Sequence, residues 1–241
     1  NLYFSKLINP YNMQKKIAIV SGASGSLGKA VVHYFINENY YVIGLVHHFS
    51  AHQFFNSHYE EIEVDLCNEI QISECVDKII LHYNSIDTVV LTAGGFAMGN
   101  INNTTIQDIQ HQYKLNFETA YNLVRPVLAQ MEQQGKGRIF FIGSGAGMDT
   151  RKGKGVTAYS LSKSLLFQLA NIINAENEKT NIYAQVIVPS IIDTPPNREA
   201  MPNADFSKWE KPEKIAEIIG YYNNKEVNNE MKLAIIIQDE L

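Results

Sequence analysis

The segment from Lys15 to Val46, KKIAIVSGASGSLGKAVVHYFINENYYVIGLV, constrains the fold more than any other part of the chain. It reads as strand, glycine turn, helix and strand. Ile17 to Val20 form a short apolar run rich in β-branched residues, Gly22, Gly25 and Gly28 punctuate the turn, and Leu27, Val31, Val32 and Phe35 recur at helical spacing. Glycines without a Cβ let a backbone approach a pyrophosphate, and a helix N-terminus just beyond offers unpaired N–H groups and partial positive charge. A plain tight turn is the competing reading. The strand before and the amphipathic helix after favour dinucleotide binding, with Gly22, Ser24, Ser26, Leu27 and Gly28 as its contacts.

The alternation continues. Strand candidates are Ile17–Val20, Tyr41–Val46, Glu61–Val64, Thr88–Leu91, Arg138–Ile142, Tyr183–Val188 and Leu233–Ile237, with helical patterns over Asn68–Tyr83, Ile106–Gln134 and Tyr159–Glu176. This order predicts an α/β fold: a doubly wound, Rossmann-like parallel sheet of about seven strands with helices on both faces. Ligands of such sheets bind beyond the carboxyl ends of the strands. The 241 residues suit one domain over 13–241. Residues 1–12 read as a non-native leader, since NLYFS resembles a fragment of a protease-cleavage tag and Met13 a native start. The terminal DEL resembles a retention signal, but with no entry signal it reads as a chain end.

Composition narrows the partners. A net charge of −5 argues against nucleic acid, which is bound by clustered Lys and Arg. No run approaches the ~18 apolar residues of a membrane span. Cys67 and Cys75 are too few for a disulfide framework and read as free thiols of a reducing, cytoplasmic compartment. A small-molecule substrate is the expected partner. His47, His48, His52 and His58 lack acidic or thiol companions at zinc spacing, so no metal is expected.

Tyr159 and Lys163, in AYSLSK, stand four apart. On a helix such residues share a face. A cation within ~4–6 Å favours a phenolate, so the pair is expected to bring the phenol toward the range where it exchanges protons as a general acid or base. Surface packing beside a solvated charge is the alternative.

Taken together these motifs resemble the short-chain dehydrogenase/reductase family from Met13 onward. The glycine turn has Ser26 where the family's middle glycine stands, Thr92-Ala93-Gly94 is similar to its Asn-Ala-Gly turn, and Pro189-Ser190 replaces its Pro-Gly. The resemblance implies a catalytic set of Ser144, Tyr159, Lys163 and Asn116. It also implies cofactor contacts from Asp65 and Leu66 at the adenine, Ala93 and Gly94, Tyr159 and Lys163 at the ribose, and Pro189, Ile192 and Thr194 at the nicotinamide. AGGFAMGN and DTPPNREAMPNADFSKW resemble the dihydropteridine reductase branch, which implies hydride transfer to a pterin; a 3-oxoacyl or small-ketone substrate, or a non-catalytic dinucleotide sensor, stay open.

Two features bear on specificity. NAD users of such folds commonly place an acid at the end of the second strand, and NADP users an arginine. Here Val46, His47 and His48 supply neither. The missing acid leans toward tolerance of a 2′-phosphate, with His47 as the nearby contact, while the pterin likeness leans toward NADH; the cofactor reads as NAD or NADP. The irregular, proline-rich stretch Pro189–Trp209 reads as a lid. Trp209 from the lid and Phe96 from the opposite loop would cover a flat substrate beside Ser144. The family likeness implies a homodimer or homotetramer.

Overall fold

A computed structural model describes residues 15–49, 56–228 and 231–237. The proposed leader 1–12 and His52 lie outside them. Seven strands form one parallel sheet in the order β3-β2-β1-β4-β5-β6-β7: β1 Ile17–Ser21, β2 Tyr41–Val46, β3 Tyr59–Glu63, β4 Thr88–Leu91, β5 Lys136–Ile142, β6 Asn181–Val188 and β7 Ala234–Ile236. This is the doubly wound, Rossmann-like arrangement that the sequence predicts. Chain order reverses between β1 and β4, and the crevice outside that switch is where such sheets take ligands.

Side chains alternate across the sheet and load both faces. Ile17 and Ile19 face one apolar core, packed with Val76, Leu123 and Leu166 from helices α2 (Glu69–Tyr83), α4 (Thr119–Gln134) and α6 (Thr157–Glu176). Ala18 and Val20 face the other, with Phe35 of α1 (Ser26–Asn37) and Ile219 of α8 (Pro212–Asn223). Each branched side chain fully buried this way contributes roughly 1.5–3 kcal/mol.

Two stretches depart from the expected pattern. The helical run 106–134 is continuous but not uniform: α3 (Ile106–Tyr113) passes through a π turn at Lys114–Glu118 before α4. There the Thr119 N–H reaches back to Lys114, and the Thr119 hydroxyl donates to the Leu115 carbonyl at 2.9 Å. The stretch 189–209 is not irregular throughout, since it holds α7 (Pro195–Ala200) and a 3₁₀ turn at Phe206–Lys208. Prolines at the start of α7 fit the first helical turn, whose N–H groups need no intrahelical partner.

Candidate active site

The glycine turn sits at the carboxyl end of β1, beside the switch. Gly22 has φ +64°, and a Cβ there would stand 2.9 Å from the Ala93 nitrogen. At Gly28 a side chain would run into the Gly22 carbonyl, so glycine lets α1 close onto the turn. Gly25 caps α1 without a side-chain hydrogen bond, which leaves the first N–H groups facing the crevice. Thr92 fastens the end of β4 to this turn, its hydroxyl donating to the Ser21 carbonyl at 2.6 Å, while the Ala93 N–H donates to the Ser21 hydroxyl at 3.3 Å. A cradle that side chains would fill, against an uncapped helix, fits the pyrophosphate of a dinucleotide.

Along the rim, Asp65 stands exposed and accepts the Cys67 N–H at 2.9 Å, and the Leu66 carbonyl is held by Asn122 of α4 at 3.0 Å. His47 and His48 are exposed beyond β2, with their rings 4.2 Å apart. Beyond β6, Pro189 is buried, Ile192 pairs with Glu210 in a one-residue bridge, and the Thr194 hydroxyl caps α7. Among the described residues no three His, Cys, Asp or Glu side chains are grouped to hold a metal, and no helix is long and apolar enough to cross a membrane.

At the other end of the crevice Ser144, Tyr159 and Lys163 come together. Ser144 follows β5 and caps the short α5 (Gly145–Met148) by accepting the Ala146 N–H at 3.2 Å. Gly147 allows α5 to press on α6, since a Cβ there would lie 2.8 Å from that of Lys163, and Ser160 ties the two helices by donating to the Ala146 carbonyl at 2.7 Å. Lys163 is buried and donates to the Ile142 carbonyl at 2.8 Å, with its ammonium 5.9 Å from the Tyr159 ring centre.

The electrostatics differ from the expectation drawn from spacing. Burial pushes the Tyr159 phenol above its ordinary value, and the facing Ser144 hydroxyl draws it partly back. Burial instead pushes Lys163 itself down to about 8. One of the ammonium's donors goes to a backbone carbonyl.

Asn116 lies in the π turn, buried, and its amide is fully engaged. It accepts the Gly95 N–H at 2.9 Å, and its two N–H donors are shared among the Gly95 carbonyl at 3.0 Å, Gln112 at 3.0 Å and Ser162 at 3.1 Å. Ser162 in turn donates to the Tyr159 carbonyl at 2.8 Å, so loop, π turn and α6 form one buried network. Gly94 sits against both Asn116 and Lys163. Gly147, Ser160 and Ser162 escape the sequence reading, with the small residues clustered in GSGAG and between Tyr159 and Lys163 as their signal, whereas Gly95 falls in AGGFAMGN without a role of its own there.

The two aromatic residues expected over a substrate part company. Phe96 is 60 % exposed and meets the Tyr159 ring edge-on at 5.0 Å, in a loop zipped to the start of α6 by the Gly99–Val156 bridge. Trp209 is buried and packs on Phe206 at 4.7 Å, whose ring also takes the Arg198 guanidinium at 4.8 Å. Trp209 therefore packs inside the stretch 189–209 instead of standing open to a substrate.

Residues 16–205 match the family described as short chain dehydrogenase. An uncharacterized oxidoreductase of Staphylococcus haemolyticus is 24 % identical over 213 residues, covering 86 % of this chain and 90 % of that one. Dihydropteridine reductase of Dictyostelium discoideum is 26 % identical over 208 residues, 85 % and 86 % of the two chains. The 3-oxoacyl-[acyl-carrier-protein] reductase of Thermotoga maritima is 24 % identical, over 86 % and 89 %. Among solved structures, ElxO with NADP bound superposes with a TM-score of 0.82 at 20 % identity over 92 % of this chain and 96 % of that one.

Proposed function

This chain belongs to the short-chain dehydrogenase family of oxidoreductases, and from that premise we propose that it transfers hydride between NAD or NADP and a carbonyl or conjugated imine, with Tyr159 as the proton donor. The observation that carries the reading is the convergence of Ser144, Tyr159 and Lys163 at the carboxyl end of β5, across the crevice from the glycine cradle. The nicotinamide, when bound, supplies the hydride.

Each residue has a task its surroundings suit. A phenol raised by burial stays protonated at neutral pH and can give its proton to a nascent alkoxide or amide. Ser144, facing that phenol, polarises the acceptor atom and holds it for attack. Lys163 uses one of three donors on the Ile142 carbonyl and keeps two for ribose hydroxyls. Asn116 is a positioning residue: with its amide saturated it fixes Gly95, and with it the loop that carries Phe96. Asp65 and Leu66 border the adenine, and Ala93, Gly94, Pro189, Ile192 and Thr194 border the nicotinamide.

Within the family, a flat heteroaromatic substrate of the pterin kind is favoured by Phe96, edge-on to Tyr159 and open to solvent. The 26 % identity to dihydropteridine reductase supports the same branch. A 3-oxoacyl thioester is the second reading, favoured by Lys152, whose side chain folds back against Gly145 next to Ser144 and suits an anionic tail. Reduction of quinonoid dihydropterin, an acetoacetyl thioester and small ketones, followed by loss of nicotinamide absorbance, tests both. Turnover of the pterin alone supports the first reading, turnover of the thioester the second, and no turnover of any with either cofactor contradicts the proposal.

A further inference from the structure

β2 ends without the acid that commonly holds an adenosine ribose, but the neighbouring strand brings one to the same level. Val46 pairs with Glu63, the last residue of β3. The Glu63 Oε2 accepts the Phe49 N–H at 3.1 Å, and Oε1 lies 3.7 Å from His48 Nδ1. The carboxylate is therefore held against the residues that follow β2.

It also shares its face of the sheet with Tyr59, which packs beneath α1. Tyr59, Glu61 and Glu63 alternate onto one face of β3. Tyr59 packs into the core beneath α1, with its hydroxyl above Gly44 and beside Ala23 of the glycine turn. Glu61 accepts that hydroxyl at 2.9 Å through Oε1 and leaves Oε2 buried without a partner. Two carboxylates thus stand along β3 next to the glycine turn. Among the described residues neither is paired with a lysine or an arginine.

We propose that Glu63 is the ribose-binding acid of this chain, supplied by β3 in place of β2, and that it makes the site select NAD(H) over NADP(H). The inference rests on the dinucleotide reading above and decides what that reading leaves open. A carboxylate accepts a charge-assisted hydrogen bond from a ribose hydroxyl. A 2′-phosphate would bring up to about two negative charges to the same place, where Glu61 stands behind Glu63 and, among the described residues, no lysine or arginine is ion-paired with either. The tolerance of a 2′-phosphate expected from β2 alone is reversed once strand pairing is taken into account.

Calorimetric titration of the purified protein with NADH and with NADPH at pH 8, above the ordinary range of imidazole titration, tests this directly. NADH is expected to bind at least about tenfold more tightly, the weight of one hydrogen bond to a charged group. Glu63→Gln, which keeps an acceptor for the Phe49 N–H, brings the ratio toward one, mainly by improving NADPH binding. Glu63→Arg inverts it. Glu63 is exposed, so both variants should melt with the wild type, and matching melting curves exclude misfolding as the cause. A wild type that prefers NADPH, or a Glu63→Gln variant with an unchanged ratio, overturns the assignment while leaving dinucleotide binding intact. Binding of neither coenzyme overturns the dinucleotide reading and the assignment with it.

Discussion

Around Tyr159 the polar side chains are tied inward, to the backbone of β5, of the loop after β4 and of α5; beyond β2 they stand in water, where His47, His48 and Glu63 are all exposed. The crevice joins these two regions, yet they are built to different ends. Chemistry asks for a reacting group held to a fraction of an ångström, which buried hydrogen bonds provide. Recognition of one ribose substituent asks only for a charge of the right sign at the right level, and an exposed side chain on a strand end suffices. The tied region should therefore answer to mutation in rate and stability, and the exposed one in coenzyme preference alone.

The largest effect expected short of removing Tyr159 is at Ser144. Ser144→Ala should lower kcat by about 10²-fold, the scale of losing one donor to the reacting atom, with little change in coenzyme affinity. If kcat holds and only stability falls, Ser144 is merely the cap of α5 and the division between regions fails. Next comes Asn116→Ala, which removes the Asn116 amide from its contacts with Gln112 and Ser162 and strands both polar groups of Gly95. A loss of about 2–4 kcal/mol in urea unfolding is expected, against less than about 0.5 kcal/mol for His47→Ala in the exposed region. Equal losses would erase the contrast.

A further effect sharpens it through pH. Lys163 is held near 8 when folded and has an ordinary value of 10.5 when unfolded. Between these values the unfolded chain binds more protons, so the Lys163 contribution to stability rises with pH from about 8 to 10.5 and is flat below. Unfolding free energy of the wild type measured against Lys163→Met over pH 7–10 should show that rise in the wild type only. Tyr159, raised above its ordinary value, works in the opposite sense at higher pH: stability falls as the unfolded phenol ionises.

How much of this is written in the sequence follows from how local each feature is. The strands and the glycine turn are set by runs of a few residues, and β2 and β4 fall where the pattern places them. Tyr159 and Lys163 share a helix, so their spacing is legible, but the carbonyl that captures Lys163 belongs to Ile142, twenty-one residues away. The same holds for Asn116, whose bonds to Gly95 and Ser162 depend on how three elements pack. Glu63 looks like one more surface acid until the register sets it beside Val46. The helix inside 189–209 is hidden because its prolines read as loop signals, although they stand at the first turn, where a helix tolerates them.

The central claim is that the Tyr159 phenol gives the proton that accompanies hydride transfer. The most direct measurement is single-turnover oxidation of bound reduced coenzyme by Tyr159→Phe, once the substrate panel has identified an acceptor, with coenzyme affinity read in parallel from quenching of Trp209, the one tryptophan in the sequence. The account predicts a rate at least about 10²-fold below the wild type at unchanged affinity. A rate within a few-fold of the wild type would contradict it.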